Sequence, residues 1–547
     1  MIPVDVRKYN GVNASRVEPQ TLHVREQNVA IAARVKQDGL AALLDQAGEA
    51  STRLQVRLIR HIIENDEEPK QVRAGLLHSA RGNNAWGQEQ GAHRNQAERE
   101  ACPRTHGKHR FPDYMLNGGG KAWKARAQSP GTIRLPESVI SIPPRWYRAM
   151  EALQSGPKGE DESVFAKRTG WNLEANPLSE ALDRHRGAGK PLLDLTVSNP
   201  TACGFDYDKG AILQALQNPA ALTYEPDPRG LASARRAVAA YYAERGIEVP
   251  IENLILTTGT SEAYSFVLRL LCDPGDQVLV PEPSYPLLGF LADIEDATLV
   301  PYPLLYGDGW RTDFPALERV VTPRTRAAVV IHPNNPTGHY CRSEDARQLA
   351  RLCAEHGMAI LADEVFLDFS LSAERPASFA ATGDALTFTL SGLSKIAGLP
   401  QMKVGWMAVS GPEPAKGQAL DRLEVIADTF LSMNAPIQLA LPALLDRRGE
   451  FQRQLLGRVR RNLAELDRQL AGQAFCRRLR IEGGWYAVLR VESDLTDEDL
   501  AIELLRERDV YIHPGHFYDF PAEGYLVVSL ICPEADFAEG IRRLLSL

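Results

Sequence analysis

The sequence lacks any uncharged apolar run near the roughly 20 residues that a membrane-spanning helix needs, and its N-terminus has no signal-peptide pattern. It also lacks clustered cysteines, because the seven cysteines are scattered over 547 residues without a CxxC motif or a histidine-paired metal spacing. Scattered thiols of this kind are typical of reduced proteins in the cytoplasm. We therefore expect a cytoplasmic protein with no metal site and no membrane contact.

An excess of positive charge is also missing. The formal net charge is −8, so the chain as a whole should not attract nucleic acid or anionic membranes. The charge is uneven, since residues 1–150 contain 23 Lys and Arg against 15 Asp and Glu, which leaves a balance of −16 for residues 151–547. With 44% hydrophobic residues, the chain can bury a large core and is long enough for more than one domain.

The first 160 residues differ in composition from the rest. Between Gly75 and Pro130 the chain is rich in Gly, Arg, Gln, Asn and His, with few aliphatic residues and no sustained period. Such a stretch cannot bury enough apolar surface to offset the entropy cost of ordering it. We predict a poorly ordered basic extension over residues 1–160. The alternative is a small basic helical module that binds a partner.

Beyond Phe165, short apolar runs alternate with helical patterns. This alternation favours an α/β domain with a mainly parallel sheet. A charged amphipathic helix over Glu450–Leu470 then leads to a smaller α+β segment. The predicted strands are Leu192–Val197, Leu254–Thr257, Gln277–Val280, Ala327–His332, Ala359–Ala362, Leu386–Leu390, Val404–Ser410, Trp485–Val491 and Tyr525–Leu530.

Two of these strands are followed by charged residues that can do chemistry. Ser394 and Lys395 come after Leu386–Leu390 in a run of small residues, and a lysine on a tight turn can form a Schiff base with an aldehyde. Asp363 follows Ala359–Ala362, where a buried carboxylate needs a cationic partner such as a protonated pyridinium nitrogen. Taken singly, a solvated Ser-Lys pair and a helix-capping aspartate explain the same residues.

Two other strands end in residues suited to binding a phosphate and a ring. Gly259, Thr260 and Ser261 open a helix, and free N–H groups at a helix start bind phosphate. Tyr285 follows Gln277–Val280, which puts an aromatic ring at the strand edge where α/β folds bind ligands. An ordinary capped helix start and a turn-packing tyrosine are the alternatives.

Asn335 has a direction fixed by its neighbours. It lies in a turn with Pro333, Pro336 and Gly338, directly after the predicted strand Ala327–His332. The side-chain amide can therefore donate a hydrogen bond to a ring hydroxyl or its oxyanion.

In their order along the chain, these motifs resemble those of the class I and II pyridoxal-phosphate aminotransferases, the large fold-type-I group. The resemblance covers residues 165–547. It rests on Tyr224 in Thr-Tyr-Glu-Pro, Gly259-Thr260-Ser261, Tyr285, Asn335 in Asn-Pro-Thr-Gly, Asp363, and Lys395 in Leu-Ser-Lys.

The resemblance implies a fold and a division into domains. The fold class is α/β, with a large domain of mainly parallel sheet and helices on both faces and a smaller α+β C-terminal domain. We expect an N-terminal arm and small-domain segment over residues 161–205. The large cofactor-binding domain should span residues 206–450, and the small domain residues 451–547.

The resemblance also implies roles for the residues around the ring of pyridoxal 5'-phosphate. Lys395 would hold the cofactor as a Schiff base and then move a proton to and from the substrate Cα. Asp363 would keep the ring nitrogen protonated, so that the ring accepts electrons. Asn335 would contact the ring oxygen, and Tyr285 would stack on the ring. Because Lys395 must be neutral, burial and nearby positive charge should lower its pKa.

The remaining implied roles concern the phosphate and the assembly. Gly259, Thr260 and Ser261 would bind the phosphate, and Ser394 is a further cofactor-binding residue. Tyr224 resembles the residue that reaches the phosphate of the neighbouring subunit, which implies a homodimer with shared sites. The implied activity is transfer of an amino group from an amino acid to a 2-oxo acid.

The sequence departs from the family at three places. Lys403 stands where an arginine is usual, so a bidentate contact with phosphate becomes a point charge. Phe366 replaces a tyrosine that bonds the ring oxygen. The run Tyr525–Leu530 lacks the arginine that often binds the substrate carboxylate. We predict that Arg490 takes that role, and that Asn199 also contacts the substrate.

Two alternatives to an aminotransferase remain at this level. A β-elimination lyase or a cyclase would use the same cofactor motifs. A transcription regulator would combine an aminotransferase-like sensor with DNA binding by residues 1–160, although those residues show no clear helix-turn-helix.

Overall fold

The computed structural model describes residues 164–373 and 376–546. The predicted basic extension, residues 1–160, lies outside the described residues. Within the described ranges, no helix is both long and apolar enough to cross a membrane.

Strands and helices alternate through most of the described chain, as the hydrophobic pattern predicts. The strands are β1 (Leu193–Asp194), β2 (Leu254–Thr257), β3 (Gln277–Glu282), β4 (Thr298–Gly307), β5 (Gly309–Thr312), β6 (Thr325–Ile331), β7 (Ala359–Asp363), β8 (Thr387–Gly392), β9 (Gly405–Ser410), β10 (Cys476–Arg478), β11 (Tyr486–Val491), β12 (Val510–Tyr511), β13 (His513–Pro514) and β14 (Tyr525–Ser529). The α-helices are α1 (Pro177–Gly187), α2 (Lys209–Ala215), α3 (Ala232–Ala243), α4 (Thr260–Leu271), α5 (Leu287–Ile294), α6 (Phe314–Arg319), α7 (Ser343–His356), α8 (Leu393–Ile396), α9 (Ala415–Thr429), α10 (Ala435–Asp446), α11 (Arg448–Leu470), α12 (Asp497–Arg508) and α13 (Glu534–Leu544).

Eight strands form the large sheet, in the order β2-β9-β8-β7-β6-β3-β4-β5. Strands β8, β7, β6, β3 and β4 pair in parallel, β9 is antiparallel to both of its neighbours, and β5 closes one edge as an antiparallel hairpin with β4. This mixed but mostly parallel sheet confirms the predicted α/β class. The β4–β5 hairpin was not predicted.

Helices cover both faces of this sheet because successive side chains of a strand point to opposite sides. In β6, Ala327 and Val329 belong to the core formed with α4 and α9. Ala328 and Val330 belong to a different core that includes Leu349 of α7. Strands buried on both faces read as continuous apolar runs, which is why the sequence marked them clearly.

A smaller antiparallel sheet follows the long helix α11, which was predicted from Glu450 and begins at Arg448. Its strand order is β10-β11-β14-β13. The predicted strand Leu192–Val197 is much shorter in the structure. Only Leu193–Asp194 is paired, because its partner strand is the two-residue β12.

Candidate active site

Five strands of the large sheet deliver predicted site residues to one cavity of about 510 Å³. Strands β2, β3, β6, β7 and β8 share one direction, so their carboxyl ends meet at the same edge, where α/β sheets bind ligands. The predicted residues that line the cavity are Asn199, Thr260, Tyr285, Asn335, Asp363, Phe366, Ser394, Lys395 and Lys403.

Lys395 lies on the four-residue helix α8, immediately after β8. The turn before it is tight, since a Cβ on Gly392 would lie 2.6 Å from the carbonyl oxygen of Val404. The lysine Nζ lies 5.2 Å from the centre of the Trp485 ring and 5.7 Å from that of Phe366. Burial lowers the pKa of Lys395 to about 8, against the opposing attraction of a nearby carboxylate. A minor but significant fraction of the amine is therefore neutral near physiological pH, and most of it is neutral above pH 8.

Asp363 occupies the last position of β7, in the same cavity. Its Oδ2 accepts a hydrogen bond from the Tyr264 hydroxyl at 3.1 Å, and its Oδ1 accepts one from the Val365 amide at 3.1 Å. Burial raises the pKa of Asp363, while these two hydrogen bonds and the charge of Lys395 act in the opposite direction. A cation bound beside the carboxylate would favour its ionised form.

The positive end of helix α4 and the ammonium group of Lys403 lie together. A Cβ on Gly259, the residue that caps this helix, would lie 3.6 Å from Lys403 Nζ. Lys403 has left-handed backbone with φ 52, which is unfavourable for a residue with a Cβ and is concentrated at functional sites. Thr260 lines the cavity, whereas Ser261 does not. A helix start next to a cation is suited to phosphate.

Hydrogen bonds of Asn334 and a close backbone contact at Gly338 fix the turn that carries Asn335. Nδ2 of the neighbouring Asn334 donates to the Pro283 carbonyl at 3.1 Å and to Thr337 Oγ1 at 2.9 Å. Gly338 has φ 68 and allows a close approach, since a Cβ there would lie 2.7 Å from another backbone carbonyl oxygen. The buried Oδ1 of Asn335 has no hydrogen-bond partner within the described part of the chain. Its amide can therefore turn toward a ligand.

The cavity also contains residues that the sequence reasoning missed. Tyr264 lies one helical turn after Thr260, so helical spacing alone could have suggested it. The others come from segments far apart in sequence and carry no charged group that would mark them. The missed polar and aromatic residues that line the cavity are Ser198, Tyr264, Phe290, Tyr486, His513, Phe517 and Tyr518.

The structure does not bring Arg490 into the cavity. Its guanidinium group donates to the Glu523 carbonyl and lies 4.6 Å from the centre of the Tyr525 ring. Arg490 shares a strand face with the cavity residue Tyr486, as expected. It lies four residues further along β11, about 14 Å away at roughly 3.4 Å per residue. The predicted role of Arg490 with the substrate carboxylate is therefore not supported by this geometry.

Three other predicted residues have positions that bear on their roles. Tyr224 is 76% exposed and does not line the cavity of its own chain. Phe366 lines the cavity with its ring packed edge-on against Trp485, 4.7 Å between ring centres. Asn199 caps a short turn, since its Oδ1 accepts from the Thr201 amide at 3.1 Å, and it also lines the cavity.

The residues present fit pyridoxal 5'-phosphate, the cofactor that the motifs imply. The Lys395 amine, with its lowered pKa, can bond to the aldehyde of the cofactor. Lys403, whose Nζ lies near the first residue of α4, can hold the phosphate. Within the described residues, the Asp363 side chain accepts hydrogen bonds from uncharged donors only, which leaves capacity for a protonated ring nitrogen.

Comparison with known proteins identifies the family of the chain. Residues 166–544 match the family model described as aminotransferase class I and II. The chain is 31% identical over 382 residues to an alanine aminotransferase of Mycobacterium tuberculosis, covering 67% of this chain and 88% of the relative. It is 32% identical over 272 residues to the glutamate-pyruvate aminotransferase AlaA of Escherichia coli, covering 49% of this chain and 67% of the relative. A solved alanine aminotransferase from Pyrococcus furiosus superimposes with a TM-score of 0.63 at 22% identity, covering 70% of this chain and 98% of that one.

Proposed function

Because the chain belongs to the class I and II aminotransferases, we propose that it moves an amino group from an amino acid to a 2-oxo acid with pyridoxal 5'-phosphate held on Lys395 as a Schiff base. The observation that carries this proposal is the environment of Lys395. Its buried amine, with a pKa lowered to about 8, shares one cavity with the Asp363 carboxylate and the Lys403 ammonium group.

When bound, the cofactor supplies an aldehyde that bonds to an amine and a ring that accepts the electrons released when the substrate Cα–H bond breaks. The free amine of Lys395 would take the proton from the substrate Cα and deliver it to the carbon of the cofactor that bears the amino group after the transfer. Asp363 would keep the ring nitrogen protonated through an ion pair. Tyr264 orients Asp363 by donating to its Oδ2 at 3.1 Å.

The other ring contacts come from neutral side chains. Asn335 would bind the ring oxygen through its amide, and Tyr285 would stack on the ring face. Phe366 fills the space beside Lys395 but has no hydroxyl, so Asn335 alone provides the polar contact at that oxygen in this proposal. Ser394 lies next to Lys395 and completes the cofactor contacts.

The phosphate would bind at Gly259 and Thr260, at the start of α4, with Lys403 as its cation, and Ser261 would contribute its backbone amide, because its side chain does not line the cavity. Tyr224 would reach the phosphate of a second subunit. Its side chain is 76% exposed to solvent, which supports this assignment, because a tyrosine on a protein surface is seldom exposed to this extent unless another molecule covers it. The active assembly is therefore proposed to be a homodimer with shared sites. The six cysteines of the described part are unpaired, which supports a cytoplasmic location.

Alanine, glutamate and pyruvate are the first substrates to test, because relatives are named alanine aminotransferase and glutamate-pyruvate aminotransferase. The names of these relatives favour transfer over the lyase and cyclase alternatives. The regulator alternative depends on residues 1–160, which lie outside the described residues.

A screen of amino donors against the purified holoenzyme tests the proposal. Transfer predicts that each accepted donor converts the bound cofactor to its amine form, and that a 2-oxo acid restores the aldehyde form. Release of ammonia together with a 2-oxo acid, without the amine form of the cofactor, would contradict transfer and favour elimination.

A further inference from the structure

The side of the cavity formed by the small sheet carries no arginine and no lysine. Among the described residues that line the cavity, the cationic side chains are Lys395 and Lys403, and both belong to elements next to β8 and β9 of the large sheet. In the proposed function, Lys395 bonds to the cofactor and Lys403 binds its phosphate. Neither is then available to the carboxylate of an amino-acid substrate.

Tyrosines occupy that side instead. Tyr486 comes from β11, and Tyr518 ends the short helical turn Gly515–Tyr518 that follows β13. Both line the cavity and are largely buried, at 9% and 4% exposure. Their phenol groups lie close enough that an ionised Tyr486 would raise the pKa of Tyr518, and Tyr285 acts on Tyr518 in the same way. Two tyrosines thus line the same cavity as Tyr285.

His513 fixes the position of one of these hydroxyls. Its Nδ1 lies 3.0 Å from the Tyr518 hydroxyl, and its ring lines the same cavity. Burial lowers the pKa of His513 to about 3, so the imidazole is neutral at physiological pH. In the tautomer with the proton on Nδ1, His513 donates to the Tyr518 oxygen and leaves the single phenol proton for a ligand. The Tyr518 backbone is fixed as well, since its carbonyl accepts a hydrogen bond from the Ser284 amide at 2.9 Å.

We infer that the hydroxyls of Tyr486 and Tyr518 bind the carboxylate of the amino-acid substrate, with His513 as the residue that positions Tyr518. This inference rests on the proposed function, because it assumes that the amino group of the substrate reaches the cofactor on Lys395. It assigns neutral O–H donors to a task for which a charge-assisted arginine pair is the strong solution.

The chemistry of the donors fits this task. A carboxylate accepts hydrogen bonds from O–H groups at short distance, and two hydroxyls that line one cavity can serve its two oxygens. Burial raises the pKa of both Tyr486 and Tyr518, so both keep their protons and remain donors across the physiological range. Neutral donors recognise the carboxylate by shape and direction, and they leave its charge without a cation from the described residues of this chain.

The test compares alanine with alaninamide, which keeps the reacting amine and lacks the carboxylate charge. Conversion of alanine by the unmodified holoenzyme, measured first, tests the proposed function separately. Tyr518→Phe and Tyr486→Phe should each raise KM for alanine by about 10- to 100-fold, the range for losing a hydrogen bond to a charged group. The kcat/KM ratio of alanine to alaninamide should fall in parallel, while the cofactor stays bound.

Tyr302→Phe is the matched control. Tyr302 is also buried and also loses a hydroxyl bond, which it donates to the Val329 carbonyl at 2.7 Å, but it does not line the cavity. Its alanine-to-alaninamide ratio should stay at the unmodified value. An unchanged ratio in both cavity variants would overturn the inference and indicate a cation from the second subunit.

The positioning role of His513 has its own readout. His513→Leu should lower the alanine-to-alaninamide ratio about as far as Tyr518→Phe does. His513→Asn should restore much of the ratio, because its amide places a polar nitrogen near the position of Nδ1. If His513 serves only stability, both variants should give less folded protein and should have the same alanine-to-alaninamide ratio. Equal ratios in His513→Leu and His513→Asn would overturn the positioning role.

Discussion

The two sides of the cavity differ in charge, because one is lined by charged side chains and the other by neutral ones. The large-sheet side presents an amine, a carboxylate and an ammonium group on Lys395, Asp363 and Lys403. The small-sheet side presents phenols, a neutral imidazole and an aromatic ring on Tyr486, Tyr518, His513 and Phe517. One side carries the charged groups that would hold a cofactor in place. The other side meets substrates that enter and leave.

The difference shows how charge is placed in this fold. Each charged residue of the large-sheet side comes at or next to the end of a strand of a rigid sheet, so its position is set by backbone hydrogen bonds. Burial then tunes the charge, as the lowered pKa of Lys395 and the raised pKa of Asp363 indicate. On the small-sheet side, burial of His513 keeps the group neutral instead.

The largest effect should come from removing the amine of the charged side. Lys395→Ala should lower turnover on the order of 10⁴-fold, because both the covalent bond to the cofactor and the proton transfer at Cα are lost. Steady-state transamination with alanine and a 2-oxo acid measures this. The control Lys416→Ala removes a lysine that is ion-paired to Glu413 at 3.0 Å, outside the cavity, and should leave turnover unchanged. Normal turnover in Lys395→Ala would refute its role.

The next effect should come from the carboxylate. Asp363→Asn should lower kcat on the order of 10²- to 10³-fold, the scale of losing one preorganised electrostatic group. Tyr264→Phe keeps the carboxylate and removes only its 3.1 Å hydrogen bond, so it should lose no more than about tenfold. If the two variants lose activity equally, the charge of Asp363 is not what stabilises the ring nitrogen.

A smaller effect is expected at the phosphate. Lys403→Ala should weaken cofactor binding by about 10- to 100-fold, measured by equilibrium titration of the apoprotein with pyridoxal 5'-phosphate. Lys403→Arg should bind at least as tightly as the unmodified protein, because it restores the bidentate contact. Both variants keep a Cβ on the left-handed backbone at φ 52, so backbone strain is matched. Equal affinity in all three proteins would exclude a phosphate role.

The smallest effect is a pH dependence. Only a neutral amine attacks an aldehyde, so the rate of cofactor addition to the apoprotein should rise about tenfold per pH unit below the Lys395 pKa of about 8 and level off above it. Burial disfavours the protonated amine and so lowers its pKa, which moves the levelling-off of the rate to a lower pH than for free lysine. Free N-acetyl-lysine, measured beside it, should keep gaining rate to about pH 10.4. A protein profile that tracks free lysine would show that burial does not tune this amine.

The charged side of the cavity could be predicted from the sequence because its residues are local signals. Asp363 and Lys395 follow apolar runs that are unmistakable when a strand is buried on both faces. Asn335 lies in a turn fixed by prolines and a glycine. Each of these positions depends on a few neighbouring residues, so a single sequence is enough to find it.

The neutral side could not be predicted for the opposite reason. Tyr486, His513 and Tyr518 are brought together by the pairing of β11, β13 and β14, and no local pattern encodes that contact. The position of Arg490 outside the cavity has the same origin. Strand alternation gave its face correctly, but distance along the strand placed it away from the cavity.

The most direct test of the account is to map the lysine that carries the cofactor. The holoenzyme is reduced with borohydride, digested, and the peptide with the reduced adduct is sequenced by mass spectrometry. The cavity contains two lysines, so the outcome discriminates. We predict an adduct on Lys395 and an unmodified Lys403. An adduct on Lys403 or on another lysine, or no adduct in a protein that transaminates, would contradict the assignment of the charged side.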